Sequence, residues 1–227
     1  MNIPNLIIEV TRRCNMQCDH CLRGCQQAKD IDHAYIDRAF SIVDSVNTLT
    51  ITGGEPSLNV QAIEYILSSA ELHGVSIDSF YIVTNGLKVK PDFVIACLKL
   101  YAYCECKEMC QVHVSNDYYH SCEDSYNTEL LDGLSFFSRK FSIEGESYES
   151  GLINEGFAAE HGMGYRENKD HGFEIDTDYG IEEGEVYLNC NGDIVSGCDW
   201  SYESQEKHKV CRVEDLSLDA LSEYNQC

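Results

Sequence analysis

The chain has 227 residues and a formal net charge of −23 at pH 7, with 16 Lys and Arg against 39 Asp and Glu. Because nucleic-acid binding depends on clusters of Lys and Arg that meet phosphate groups, this balance argues against a nucleic-acid partner. The 13 cysteines do not indicate a secreted disulfide scaffold in a chain of this length. With no signal-peptide pattern ahead of Arg12 and Arg13, and no apolar run of bilayer length, we expect a cytoplasmic protein without a membrane partner.

Short apolar runs alternate with stretches of helical spacing through the first half of the chain. The predicted strands are residues 6–10, 48–52, 80–83 and 111–114, and the predicted helices are residues 32–46, 59–73 and 91–103. This order is typical of an α/β fold with a parallel sheet, in which reactive groups gather at the carboxyl ends of the strands. A full eight-stranded barrel takes about 250 residues, so we predict a partial (βα)6 TIM-type barrel.

The carboxyl-terminal part of the chain predicts a β-hairpin followed by a helix. Residues 185–190 and 193–198 are strand-like and are joined by Asn191 and Gly192, which indicate a two-residue turn. A helical pattern follows over residues 214–224.

These patterns suggest a core and a small appendage. We assign residues 1–180 to the barrel core and residues 181–227 to a cysteine-containing extension of hairpin plus helix. Residues 144–185 are acidic, contain frequent glycines and lack periodicity, so we interpret them as a solvated loop region.

The most informative motif is the C-x3-C-x2-C spacing of Cys14, Cys18 and Cys21, directly after the first predicted strand. Three thiolates can hold three irons of a cubane cluster that ordinarily takes four ligands, so one iron stays open. An open coordination position is typical of catalytic metal sites. The alternative is a zinc knuckle in which His20 or Cys25 supplies a fourth ligand.

Polar motifs also follow the next three predicted strands. They are Gly53-Gly54-Glu55-Pro56 after the second strand, Asn85 after the third, and Ser115 and Asp117 after the fourth. Taken alone, the glycine pair is an ordinary turn, and Ser115 with Asp117 is equally a solvated strand end with an Asx turn. At the carboxyl ends of parallel strands, however, these motifs would converge on one mouth.

The cysteine spacing together with residues 53–56 resembles the radical S-adenosylmethionine (SAM) superfamily, in which the same two motifs each follow a strand. The resemblance implies a [4Fe-4S] cluster on Cys14, Cys18 and Cys21, with the amino and carboxylate groups of SAM on the open iron. It further implies reductive cleavage of SAM to methionine and a 5′-deoxyadenosyl radical, which takes a hydrogen atom from a peptide or small-molecule substrate. An electron donor such as flavodoxin or ferredoxin is then needed.

The resemblance also implies roles for single residues. His20 occupies a position near the adenine. The run Gly53, Gly54, Glu55 and Pro56 resembles the strand edge that holds the methionyl ammonium, while Ser115 and Asp117 resemble ribose contacts and Asn85 a further cofactor contact. Residues 151–156 resemble a glycine-bearing segment that lines the adenine, with Phe157 where an arginine is often found.

The carboxyl-terminal hairpin resembles the SPASM or twitch extension of peptide-modifying radical SAM enzymes. Cys190, Cys198 and Cys211 are its candidate ligands for one auxiliary iron-sulfur cluster or a zinc ion. Unligated, buried thiols are an equal alternative. The candidates for a fourth ligand are Cys227, Cys25, Cys122, Cys104, Cys106 and Cys110.

Three functions follow from these patterns. The leading one is a radical SAM enzyme acting on a peptide or small metabolite. The second is an activase that installs a glycyl radical on a partner enzyme, although the hairpin with Cys190 to Cys211 argues against it. The third is a non-catalytic iron-sulfur or zinc-binding protein.

Overall fold

A computed structural model gives the fold of the chain and describes residues 1–87, 89–116, 128–141, 152–170, 172–176 and 179–225. Asp117, the predicted ribose contact, and Cys122 and Cys227, two candidate ligands, lie outside these residues. In the described ranges, no helix has both the length and the apolar character needed to span a membrane.

Strands alternate with helices in the first half of the chain and dominate the second half. The strands in the described residues are β1 (Asn2–Thr11), β2 (Ser45–Gly53), β3 (Ser76–Thr84), β4 (Gln111–Asn116), β5 (Phe137–Phe141), β6 (Glu174–Asp176), β7 (Gly180–Glu183), β8 (Glu185–Leu188), β9 (Asp193–Ser196) and β10 (Lys209–Arg212). The α-helices there are α1 (His33–Phe40), α2 (Val60–His73), α3 (Pro91–Tyr103), α4 (Gly156–Glu160) and α5 (Leu218–Tyr224).

All ten of these strands belong to one sheet, whose main path runs β10-β9-β8-β1-β2-β3-β4-β5. The stretch from β8 to β5 is parallel throughout, whereas β9 and β10 continue the sheet in antiparallel fashion. The predicted parallel α/β architecture is therefore confirmed. Over the described residues the sheet is open, since its path ends at β10 and β5 without closing.

The predicted extension begins within this same sheet. Its first strand, β8, pairs in parallel with β1, with Asn5 opposite Glu185 and Ile8 opposite Leu188. The hairpin thus extends the sheet of the core, and the division at residue 180 stays a prediction.

Several predicted boundaries differ from the structure. Helix α1 ends at Phe40, not near residue 46, because Val46 is a strand residue paired with Ile3 and buried in the core. The hairpin between β8 and β9 is confirmed, but its turn is longer than two residues, since the Asn189 N–H donates to the Asp193 carbonyl at 3.0 Å.

Two other expectations also need correction. The predicted helix over residues 214–224 is replaced by a short 3-10 helix (Val213–Asp215) followed by α5. The acidic stretch contains α4, β6 and β7 among its described residues, so it is not loop alone.

The main hydrophobic core lies between the helices and one face of the sheet. Helix α2 contributes Ile63, Ile66 and Ala70, whose spacing places them on one helical face, and all three are fully buried. Successive residues of β1 point to opposite faces, so Leu6 and Ile8 join this core while Ile7 does not.

The opposite face of the sheet carries a second, smaller cluster. Ile7 packs there with Tyr187, Val195 and Trp200. Trp200 comes from the segment after β9, so the chain beyond the hairpin covers the back of β1 and β8 near the cysteine loop.

Candidate functional site

The three motif cysteines lie in the loop between β1 and α1 and line one cavity. Cys14, Cys18 and Cys21 are half-buried, form no disulfide and line a cavity of about 130 Å³. The Cys21 N–H donates to the Cys18 carbonyl at 3.1 Å, which gives the loop its tight turn. Burial raises the pKa of the Cys14 thiol. A single short loop thus supplies three cysteines to the lining of one cavity.

Residues 53 and 54 hold the start of this loop against the end of β2. The Gly54 N–H donates to the Thr11 carbonyl and the Glu55 N–H to the Arg13 carbonyl, both at 2.8 Å. A Cβ on Gly53 would lie 2.3 Å from the Thr11 oxygen, and one on Gly54 would lie 2.4 Å from the Arg13 oxygen. Only glycine permits this approach, and both glycines line the cysteine cavity.

Glu55 connects the ends of two neighbouring strands. It is 1% exposed, and its Oε1 accepts from the Thr84 hydroxyl at 2.7 Å and from the Ser57 N–H at 3.0 Å. Its Oε2 accepts from the Asn85 N–H at 2.8 Å. Pro56 is buried and begins the 3-10 helix that Glu55 caps. The carboxylate therefore positions the mouth of the site, with protein donors on both oxygens.

Asn85 holds the cysteine loop from the end of β3. Its Nδ2 donates to Asn15 Oδ1 at 2.8 Å and lies 3.9 Å from Cys14 Sγ. The Asn15 Nδ2 is itself buried and has no hydrogen-bond partner among the described residues. This arrangement places amide donors beside the first motif cysteine.

The other predicted cofactor contacts lie in different surroundings. His20 lines a neighbouring cavity of about 300 Å³ together with Cys21, Gly53 and Ile153. Ser115 is half-buried in β4, and the described residues place it in no cavity near the cysteines.

The segment around residue 156 packs directly against the last motif cysteine. The Phe157 N–H donates to the Cys21 carbonyl at 2.9 Å, and the Phe157 side chain lines the cysteine cavity. Gly156 has φ +53°, and a Cβ there would lie 2.4 Å from the Leu22 oxygen. The segment at residues 156 and 157 is thus in contact with the cysteine loop; in the sequence, only the family resemblance connected it with the site.

A buried polar network that the sequence analysis missed lies beneath the cysteine cavity. Glu9 is fully buried. Its Oε1 accepts from Arg12 Nε at 2.6 Å and from the Cys190 N–H at 3.0 Å. Its Oε2 accepts from Tyr187 OH at 2.7 Å and from Gln205 Nε2 at 3.2 Å. Burial acts to raise the pKa of Glu9, but the charges of Arg12 and Arg23 outweigh it and the pKa is lowered. The sequence signal that could have revealed this network is the acidic Glu9 in an apolar strand, with Arg12 three residues later.

Arg23 and Tyr202 complete the wall of the cavity. Arg23 Nη1 donates to the Trp200 carbonyl at 2.6 Å, and its guanidinium lies 5.0 Å from the centre of the Tyr187 ring. Tyr202 is 7% exposed, and its hydroxyl is buried without a partner in the described structure. Both side chains line the same cavity as the three cysteines.

Cys190, Cys198 and Cys211 are not brought together. Cys190 is buried, and its Sγ donates to the Glu9 carbonyl at 3.1 Å. Cys190 and Cys211 pack with the main core, whereas Cys198 packs with the small cluster around Ile7. The described residues thus contain no group that holds a single metal ion such as zinc, and the auxiliary cluster stays a prediction.

The donor set around the cysteine cavity fits a cluster. Across the described ranges, no three His, Cys, Asp or Glu side chains are grouped to hold a single metal ion. In a cubane cluster, each thiolate binds a different iron, so its ligands surround a larger group. Tyr202, whose buried hydroxyl has no partner among the described residues, and the two motif glycines line this cavity beside the cysteines, as suits a pocket that receives a polar group.

Sequence comparison finds partial relatives. No protein-family model matches the chain. It is 36% identical over 68 residues to uncharacterized protein MJ0907 of Methanocaldococcus jannaschii, which is 29% of this chain and 24% of that protein. It is 33% identical over 72 residues to putative protein YfkA of Bacillus subtilis, which is 30% of this chain and 19% of that protein. The match thus spans about a quarter or less of either curated relative.

Comparison of structures covers the whole chain. Two structures of anSMEcpe, each with bound AdoMet and a peptide, match 100% of this chain and 82% of theirs, with TM-scores of 0.59 and 0.60 at 13% identity. The chain therefore shares the overall fold of these AdoMet-bound structures.

Proposed function

We propose that the chain is a radical SAM enzyme that binds a [4Fe-4S] cluster through Cys14, Cys18 and Cys21. With the cluster on these cysteines and SAM bound, the site would supply one-electron reductive cleavage of the sulfonium carbon–sulfur bond and removal of a hydrogen atom from the substrate. Methionine, 5′-deoxyadenosine and a substrate radical are the products, so atoms and electrons balance. An external one-electron donor such as flavodoxin or ferredoxin completes the reaction.

The observation that carries this proposal is the convergence of three motif thiols and two motif glycines on one cavity. Gly53 and Gly54 bring the end of β2 against the cysteine loop, and Glu55 fixes that end to β3. In this proposal the strand edge at residues 53–56 faces the methionyl ammonium of SAM. Asn85 orients the cysteine loop, and Phe157 and Tyr202 restrict the access of water to the cavity.

The finer features of the fold belong to the same proposal. We infer that the open sheet is a partial six-unit barrel, since six consecutive strands from β8 to β5 are parallel.

A peptide is the favoured substrate class, because the structures of anSMEcpe contain a bound peptide. The described cysteines form no disulfide, which accords with a reducing, cytoplasmic setting.

The test is anaerobic reconstitution of the purified chain with iron and sulfide, followed by incubation with SAM and dithionite. We expect bound iron and sulfide in cluster proportions and 5′-deoxyadenosine in the products, measured by mass spectrometry. Cys18→Ala should lose both. The matched control is Cys106→Ala, a half-buried cysteine in the segment after α3 and outside the cysteine cavity, which should retain both.

Two results would contradict the proposal. A chain that loads iron and sulfide but releases no 5′-deoxyadenosine would be a non-catalytic cluster protein. A chain that takes up one zinc ion in preference to iron and sulfide would restore the zinc-knuckle alternative.

A further inference from the structure

Arg23 is a half-buried positive charge on the wall of the cysteine cavity, and the carboxylate that acts on its charge, Glu9, is shared with Arg12. Its direct contacts are the Trp200 carbonyl at 2.6 Å and the face of the Tyr187 ring at 5.0 Å. Among the described residues, no carboxylate lies within salt-bridge distance of its guanidinium, in contrast to the other arginines near the loop.

Those other arginines are paired. Arg12 Nε lies 2.6 Å from the buried Glu9 carboxylate, and Arg13 Nε lies 2.8 Å from Asp30 Oδ1 at the surface. The Arg13 pair has little net charge at a distance, whereas the single Glu9 carboxylate acts on both Arg12 and Arg23 and leaves one positive charge in excess. Arg23 is therefore the main source of unbalanced positive charge among the described residues that line the cavity.

The position of Arg23 is fixed by the segment after β9. Its side chain donates to the Trp200 carbonyl, and its own carbonyl accepts from the Tyr202 N–H at 3.2 Å. Trp200 is buried, and its indole N–H donates to the Ser196 carbonyl at 2.8 Å. The guanidinium is thus held from the carboxyl-terminal part of the chain, and it does not swing freely in solvent.

A cluster on three thiolates becomes one unit more negative when it is reduced. Its reduction potential depends on net charge, on hydrogen bonds to its sulfur atoms and on exposure to solvent. A fixed positive charge in a partly dehydrated cavity favours the more negative, reduced form. The whole chain carries a net charge of −23, which opposes reduction, so a local cation has an effect of the opposite sign.

We propose that Arg23, held in place by Trp200 and Tyr202, raises the reduction potential of the cluster on Cys14, Cys18 and Cys21. This inference rests on the proposed function. Arg23 is a positioning and electrostatic residue in this account: it ligates no iron and transfers no proton. The carboxyl-terminal segment thereby tunes the electron transfer into the site.

The test compares midpoint potentials of the reconstituted protein without SAM, by anaerobic redox titration followed by electron paramagnetic resonance. For Arg23→Gln we expect the reduction equilibrium to shift at least tenfold toward the oxidised form, which is ~59 mV for one electron. Arg23→Lys keeps the charge and should stay near the wild-type potential. Arg166→Gln is the matched control: Arg166 is 58% exposed and paired with Asp199, so the same loss of charge should leave the potential unchanged.

Iron and sulfide contents separate the failure of this inference from the failure of the proposed function. If the wild-type chain holds no cluster, the proposed function is wrong. If Arg23→Gln holds a full cluster at the wild-type potential, only the inference about Arg23 is wrong. Arg23→Met preserves the aliphatic stem against Tyr187 and should shift the potential as Arg23→Gln does. Loss of the cluster from both neutral variants would show a structural role and would also overturn the inference.

Discussion

Asp170 shows how a single side chain connects separate parts of this chain. Its Oδ1 accepts from Ser196 Oγ at 2.7 Å and from the Gly172 N–H at 3.0 Å, while its Oδ2 accepts from Tyr224 OH and contacts His208 Nδ1 at 3.4 Å. Burial acts to raise the pKa of Asp170, but these hydrogen bonds outweigh it and the pKa is lowered. The ionised carboxylate is therefore the form that the folded chain stabilises.

The pH dependence of stability follows from that direction. We expect Asp170→Asn to lower the free energy of unfolding by about 1–2 kcal/mol at pH 7. The contribution of Asp170 is present above the pKa of an unfolded aspartate, about 3.9, and is lost as the pH falls through the lower folded value. Urea unfolding at pH 7 and pH 3 should therefore show a smaller difference between wild type and variant in acid.

The control for this prediction is Glu71→Gln, an exposed position on α2. It should change stability by no more than ~0.5 kcal/mol at either pH. A difference between wild type and Asp170→Asn that grows as the pH falls would contradict the assigned direction.

Residue spacing in the sequence predicted only the local part of the site. The three cysteines are at most seven residues apart, so their spacing was visible directly. Glu9 forms hydrogen bonds with Tyr187 and Gln205, which are 178 and 196 residues away in the sequence. No local sequence pattern predicts partners at such separations. Arg23 was missed for the same reason, since its contact with Trp200 spans 177 residues.

At the scale of elements, Asn59 links the start of α2 to the end of β1. Its Oδ1 caps the helix at the Ala62 N–H, and its Nδ2 donates to the Val10 carbonyl at 2.7 Å. One side chain therefore fixes both the beginning of a helix and the strand that leads into the cysteine loop.

Loss of this cap should cost stability. We expect Asn59→Ala to lower the free energy of unfolding by about 1–2 kcal/mol, the range for removal of a helix N-cap. Chemical unfolding followed by circular dichroism measures it. Ser68→Ala, on the exposed face of the same helix, should have an effect below ~0.5 kcal/mol. Equal effects of the two changes would mean that the Asn59 contacts contribute nothing specific.

Element prediction succeeded where one periodicity dominated. The bounds of α3 match the predicted 91–103, and α2 starts one residue later than predicted, because the helical apolar spacing ends at clear boundaries. Helix α1 was predicted too long because the apolar residues Ile42, Val43 and Val46 are compatible with either a helix or a strand. In the structure, the pairing of Val46 with Ile3 makes Val46 a strand residue.

At the scale of the whole molecule, Glu9 joins the first strand to the carboxyl-terminal segment. Its four donors belong to Arg12, Tyr187, Cys190 and Gln205. The parallel pairing of β8 with β1 lies beside it. We therefore expect both ends of the chain to unfold together.

Replacement of this carboxylate tests the coupling. Glu9→Gln leaves the buried Arg12 guanidinium without its counter-ion, so we expect a loss of about 3 kcal/mol in the free energy of unfolding. The unfolding curves from circular dichroism and tryptophan fluorescence should remain superimposed. Asp44→Asn is the control, since the Asp44 side chain is 82% exposed and its ion pair with the amino terminus should contribute below ~1 kcal/mol. Separate transitions for the two signals would refute the coupling.

Trp200 is the single tryptophan of the chain, and it stands between two cavities. Its backbone carbonyl accepts from Arg23 at the cysteine cavity, while its side chain lines a cavity of about 570 Å³ and stacks on the His208 ring with centroids 3.5 Å apart. The intrinsic fluorescence of Trp200 can therefore report on both cavities. Any molecule that enters from either side and disturbs this stack will change the emission of one indole, so occupancy can be followed without an added dye.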